Sequence, residues 1–107
     1  MQQITPVQLK QWLDDPAQGK PVLIDVREPW EFALCRVPGA SLMSMSTIPA
    51  RLAELDSTAA TVLICHHGGR SMQAAMFLQQ QGFAKLYNMA GGVAAWATQV
   101  DPAMPQY

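Results

Sequence analysis

The residues best suited to chemistry lie in one short segment, Cys65-His66-His67-Gly68-Gly69-Arg70-Ser71. Cys65 supplies a nucleophile, and only its thiolate reacts, so what matters is how negative charge on sulfur is stabilised there. Gly68 and Gly69 permit a tight loop with positive φ, in which successive backbone N–H groups turn inward as an anion nest. A helix predicted from Ser71 adds the positive end of its dipole. Arg70 brings a permanent cation whose planar donor fork suits an oxyanion. His66 and His67 contribute charge or donors at the rim, depending on pH.

Such a loop needs a rigid frame on both sides. Thr61-Val62-Leu63-Ile64 reads as a strand buried on both faces and runs straight into Cys65. After Ser71, Ala74, Ala75, Phe77 and Leu78 form one broad helical face with Gln73 and Gln80 opposite, and Gly82 is the expected stop. Earlier in the chain, Thr5 caps a helix predicted to run to about Leu13, with Pro6 in its first turn and Gln8 at the capping-box position. Val22 to Val26 repeats the buried-strand pattern. A helix is predicted from about Pro29 to Cys35, closed by Val37-Pro38-Gly39-Ala40, with a short strand near Ala40. Ile48, Leu52 and Leu55 have helical spacing, Lys85 to Asn88 forms a weak last strand, and Val93 to Ala97 a short helix. Strands alternating with helices, over connections too long for hairpins, predict an α/β domain with a mainly parallel sheet and its site at the carboxyl ends of the strands.

A chain of 107 residues, half of them hydrophobic and 14% charged, is expected to fold as one globular domain spanning 1–107. The formal net charge of −1 offers no general attraction to nucleic acid or to an anionic membrane. No apolar run reaches the roughly 18 residues of a membrane span, and Met1 to Pro6 lacks the features of a signal peptide, so a cytoplasmic location is expected. In that reducing setting Cys35 and Cys65 are read as thiols. The tail from Asp101 to Tyr107, with Pro102 and Pro105, is expected to be loosely held, and the chain to be a monomer.

The chain resembles the rhodanese family over most of its length. Cys65 to Ser71 is similar to the family's loop Cys-x-x-Gly-x-Arg-Ser at every specified position. Leu23-Ile24-Asp25-Val26-Arg27-Glu28 with Glu31-Phe32, then Val37-Pro38-Gly39-Ala40, and finally Tyr87-Asn88-Met89-Ala90-Gly91-Gly92 with Trp96 resemble its other blocks, in order. The resemblance implies a five-stranded, mainly parallel sheet flanked by helices on both faces. It also implies a thiosulfate sulfurtransferase that works by double displacement through a transient persulfide on Cys65, without a further cofactor. The implied partners are a small sulfur donor, such as thiosulfate or a persulfide, and a thiol or cyanide acceptor, with thioredoxin or another sulfur-relay protein as a candidate. Carried over by position, Cys65 is the sulfur carrier and His66, His67, Gly68, Gly69 and Arg70 form the substrate-binding cradle. Asp25, Arg27, Glu31 and Ser71 are structural support. One departure is that Cys35-Arg36 stands where many members have Gly-His, which bears on local packing and substrate access.

Other readings compete at several positions. Cys65 alone could be a core residue, and Cys35 could be either that or a resolving thiol. His66 and His67 do not suggest a metal site, because adjacent side chains rarely converge on one tetrahedral ion. Trp12, Trp30 and Trp96 read first as packing, with Trp30 the best surface contact. Phosphatases and arsenate reductases also use Cys in an amide cradle, but the related phosphatases place five residues before Arg, against four between Cys65 and Arg70. A non-catalytic binding module is the second alternative.

Overall fold

Five short strands align in parallel in the computed structural model, which describes residues 1–107. They are β1 (Gln2–Ile4), β2 (Val22–Asp25), β3 (Ser41–Leu42), β4 (Thr61–Ile64) and β5 (Leu86–Met89), in the order β1-β5-β4-β2-β3. The helices are α1 (Pro6–Asp14), α2 (Pro29–Leu34), α3 (Gly69–Gln80) and α4 (Gly92–Gln99). None is long and apolar enough to cross a membrane.

β4 is central and buried throughout, because helices cover both faces of the sheet. Its side chains alternate between two apolar layers. Val62 and Ile64 join Leu9 of α1 and Val93, Trp96 and Ala97 of α4. Leu63 and Cys65 join Ile48 and the α3 residues Ala74, Ala75 and Leu78. Cys35 belongs to the first layer, on the other side of the sheet from Cys65, which leaves it poorly placed as a resolving thiol.

Local chemistry explains the element ends. Gln8 N–H donates to Thr5 Oγ1 and Thr5 N–H to Gln8 Oε1, so the capping box of α1 forms as expected. Gly68, with φ of +104°, caps α3 and lets the helix begin at Gly69, two residues before the expected Ser71. At the other end Gly82 takes a φ of +94° and Phe83 N–H returns to the Leu78 carbonyl.

Two expectations need correction, and one strand has no forerunner in the residue pattern. Ile48 to Leu55 is not an α-helix: Met45–Thr47 and Pro49–Glu54 are 3₁₀ turns, with Arg51 N–H donating to Ile48 O and Leu55 N–H to Leu52 O. Pro49 lacks an N–H and the segment is too short for a cooperative α-helix, yet Ile48, Leu52 and Leu55 still face the core. β1 has no counterpart in the residue pattern, because three residues carry no period; it forms by pairing Gln2, Gln3 and Ile4 with Tyr87, Asn88 and Met89. The tail is not loose. Met104 is buried and Tyr107 is hydrogen-bonded into the protein at two points.

The polar framework centres on Arg27, which is 0% exposed. Its Nε and Nη2 donate to the Asp25 carboxylate, Nη2 also to the Cys35 carbonyl at 2.6 Å, and Nη1 to the Tyr107 hydroxyl at 2.8 Å. One guanidinium thus joins the end of β2, the end of α2 and the tail. Burial opposes its charge, but the bonds to Asp25 and Tyr107 outweigh that and raise its pKa. Asp25 and Arg27 are thereby tied to the end of α2 and to Tyr107.

Candidate active site

β4 delivers Cys65 to the carboxyl end of the central strand, and α3 begins four residues later. The Gly68 N–H donates to Cys65 Sγ at 3.0 Å, and the Ser71 hydroxyl lies 3.3 Å from the same sulfur. The cradle therefore contributes one amide and one hydroxyl in hydrogen-bonding contact with sulfur. Cys65 as a residue is only 1% exposed, with apolar neighbours such as Val26 and Met43 in its layer. Its surroundings thus combine polar donors from Gly68 and Ser71 with an apolar layer that includes Ala74, Ala75 and Leu78 of α3.

What turns the loop is its contact with α4. Val93 N–H donates to the Cys65 carbonyl at 2.8 Å and Ala94 N–H to the His66 carbonyl at 3.0 Å. Two otherwise unpaired amides of the α4 N-terminus are thereby satisfied, and the loop carbonyls are held toward α4. This approach requires glycine at position 92. Its φ is +62°, and a Cβ there would come within 2.4 Å of the Cys65 carbonyl oxygen.

Ser71 does more than support the frame. Its hydroxyl is within hydrogen-bonding reach of Cys65 Sγ, the Gly68 carbonyl and Asn88 Oδ1. A hydroxyl has one proton and two lone pairs, so Ser71 can accept from a Cys65 thiol and donate to a Cys65 thiolate. Asn88 is a site residue that the sequence reading missed. Buried at the end of β5, it donates through Nδ2 to the Gly68 carbonyl at 3.2 Å and to Gln3 Oε1 at 3.0 Å. The available signal was an amide inside a predicted strand.

Arg70 differs from its expected role. Its Nη1 and Nη2 donate to the two oxygens of Glu31 at 2.8 and 2.9 Å, so the fork is occupied by a carboxylate of the protein. Those hydrogen bonds, opposed by burial and aided by Tyr107 and the Glu28 amide, hold the Glu31 carboxyl down at about 2. The pairing in turn raises Arg70. Glu31 is thus part of the site frame, linking α2 to the loop.

Tyr107 closes the rim. Its hydroxyl donates to Glu31 Oε2 at 2.7 Å, and burial, then that bond, push its pKa up to about 12. Its ring stacks on His66, which also meets the ring of His67 at 3.9 Å. Burial, then His67, lower the pKa of His66. His67 is exposed, and neither imidazole hydrogen-bonds to Cys65. Trp30, 62% exposed, meets the Tyr107 ring edge-on at 5.5 Å.

A cysteine at the carboxyl end of the middle strand of a parallel sheet, held by a helix-capping loop, defines a thiol-centred α/β domain. The chain belongs to the rhodanese-like domain family, whose model matches residues 5–99. It is similar to a sulfurtransferase of Allochromatium vinosum, with 40% identity over 76 residues and 71% of each chain covered. It is 39% identical over 106 residues to the probable adenylyltransferase/sulfurtransferase MoeZ of Mycobacterium tuberculosis, covering 97% of this chain and 26% of that protein. The Arabidopsis thaliana rhodanese-like/PpiC domain-containing protein 12, chloroplastic, is 40% identical over 89 residues, which are 79% of this chain and 30% of that protein. The chain thus spans less than a third of the length of these last two relatives. Among solved structures, a rhodanese-like domain protein from Staphylococcus aureus superposes with a TM-score of 0.83 at 31% identity, covering 90% of this chain and 91% of the other.

Proposed function

We propose that this chain transfers sulfane sulfur through a persulfide on Cys65. The observation that carries the reading is the Gly68 N–H donated to Cys65 Sγ at 3.0 Å, backed by the Ser71 hydroxyl at 3.3 Å. Hydrogen bonds to an ionised acceptor are the strong ones, so these two donors suit a thiolate at Sγ.

In the first displacement the Cys65 thiolate attacks the outer sulfur of a donor. A new S–S bond forms, and the bond from that sulfur to the rest of the donor breaks, its electron pair leaving as sulfite or a thiolate. In the second, an acceptor thiolate or cyanide attacks the terminal sulfur and the Cys65 thiolate leaves. The products are a new persulfide or thiocyanate, and the enzyme returns to its starting state with no external oxidant or reductant. Thiosulfate or a persulfide is the donor in this reading, and a small thiol, or a relay protein such as thioredoxin, is the acceptor.

Intact-mass measurement tests the proposal. After incubation with a sulfane donor, one added sulfur atom is expected on wild type, removable by cyanide and absent from Cys65→Ser. A folded protein that gains no sulfur from any donor in a panel would overturn the reading in favour of a binding module. Aryl phosphate hydrolysis is expected to be negligible, in keeping with the four-residue spacing from Cys65 to Arg70 and the fork committed to Glu31.

A further inference from the structure

The guanidiniums of Arg27 and Arg70, which frame the Cys65 loop, are each already matched by a carboxylate. Arg70 is held by both oxygens of Glu31, and Arg27 is held by Asp25 at 2.8 Å with no exposure on either side chain. Burial, then His67, Arg70 and Arg27, lower the pKa of His66, although Glu31 pulls the other way. Two guanidiniums against two carboxylates leave these two pairs neutral, and His67 stands outside on the exposed rim. Cys65 itself is 1% exposed.

A donor must therefore shed water to reach the sulfur without a free cation to meet it. The cost of moving an ion out of water rises with the square of its charge, so a dianion loses far more than a monoanion. The rim that a donor meets is aromatic, with Tyr107 stacked on His66 at 3.9 Å and Trp30 beside it. Such a rim favours an apolar organic group.

We infer that the site selects singly charged organic sulfane donors, of the persulfide class R–S–S⁻, over dianionic thiosulfate. This rests on the sulfur-carrier reading of Cys65 and narrows its donor. The step balances: the Cys65 thiolate takes the terminal sulfur of R–S–S⁻, and R–S⁻ departs with the electron pair of the broken S–S bond. The local charge is unchanged, and the frame needs no further cation to receive the products.

The test uses two donors with the same reacting bond and different charge, thiosulfate and benzenethiosulfonate, which release sulfite and benzenesulfinate. Second-order loading rates of Cys65 are read by intact mass, and each is divided by the donor's rate with cyanide in solution. The normalised rate for the monoanion is expected to exceed that for thiosulfate by at least about tenfold in wild type. Glu31→Gln, which frees the Arg70 charge, is expected to narrow the ratio by at least about threefold. Should that variant not fold, wild type alone decides through salt: like charges react faster as screening rises, so thiosulfate loading should hold or increase with added NaCl. Equal normalised rates, or thiosulfate loading that slows severalfold with salt, would overturn the donor class while leaving the carrier role intact. Loading by neither donor, nor by an alkyl persulfide, would instead remove the carrier role itself.

Discussion

Tyr107 lies flat on His66, ring centroids 3.9 Å apart and planes 9° from parallel, while its hydroxyl bridges Arg27 and Glu31. A residue 41 positions beyond the loop imidazole thus fixes both that ring and the carboxylate that holds Arg70.

Removal of the Tyr107 ring should show in the titration of His66. Burial is the main cause of its lowered pKa, so Tyr107→Ala is expected to move the NMR midpoint back up toward 6.5, whereas Tyr107→Phe keeps the stack and the low midpoint. The folded wild type binds fewer protons at this site than the unfolded chain does, so its stability falls as pH drops below about 6.5. Tyr107→Ala should weaken that dependence. An unchanged midpoint in the Ala variant would mean that the stack does not shield His66.

Gly92→Ala is expected to destabilise the chain by more than about 2 kcal/mol and to abolish sulfur loading, since a Cβ collides with Cys65 O and the φ of +62° is strained for alanine. Gly69→Ala is the control. It has no positive φ and no atom within 4 Å of an added Cβ, and in the first turn of α3 it should be neutral or slightly stabilising. Thermal melts that rank the two variants the other way would refute the proposed role of the α4 contact.

Acid should loosen the Glu31 node. The carboxyl ionises at about 2 in the folded chain against 4.5 ordinarily, so below 4.5 the unfolded state takes up protons that the folded state refuses. The stabilisation is complete above pH 4.5 and is lost as pH falls toward 2, on the order of 2 kcal/mol in all. Glu31→Gln should flatten the urea-unfolding free energy across that window, and a slope equal to wild type would count against the node.

Buried and exposed ion pairs should differ sharply. Arg27→Met strands the fully buried Asp25 carboxylate and is expected to cost about 3–5 kcal/mol or prevent folding. Lys10→Ala breaks an exposed pair with Asp14 at 2.8 Å and should cost no more than about 0.5 kcal/mol. Urea denaturation of both variants checks the contrast.

The parts legible in the sequence are those with local causes. Leu23 to Val26 and Thr61 to Ile64 declared themselves as buried runs, although Val22, also expected to be buried, is exposed; Thr5 and Gln8 read as a cap, and Gly68 as a turn before a helix. What escaped depends on pairings across the sheet. Arg70 meets Glu31 because β4 lies beside β2, and Asn88 reaches Gly68 because β5 lies on the other side of β4. β1 exists only through β5, and Tyr107 is fixed by Arg27, 80 residues away. No window of neighbouring residues contains these relationships.

The bonds from Val93 and Ala94 to the carbonyls of Cys65 and His66 also bear on how the protein is born. A ribosome finishes the cysteine well before it adds the helix that braces it, so a nascent chain arrested short of position 92 would hold its thiol without the finished cradle. Maturation of the thiol site is thereby deferred until α4 has been made, and truncations inside α4 should yield an unbraced sulfur rather than a slightly weakened cradle.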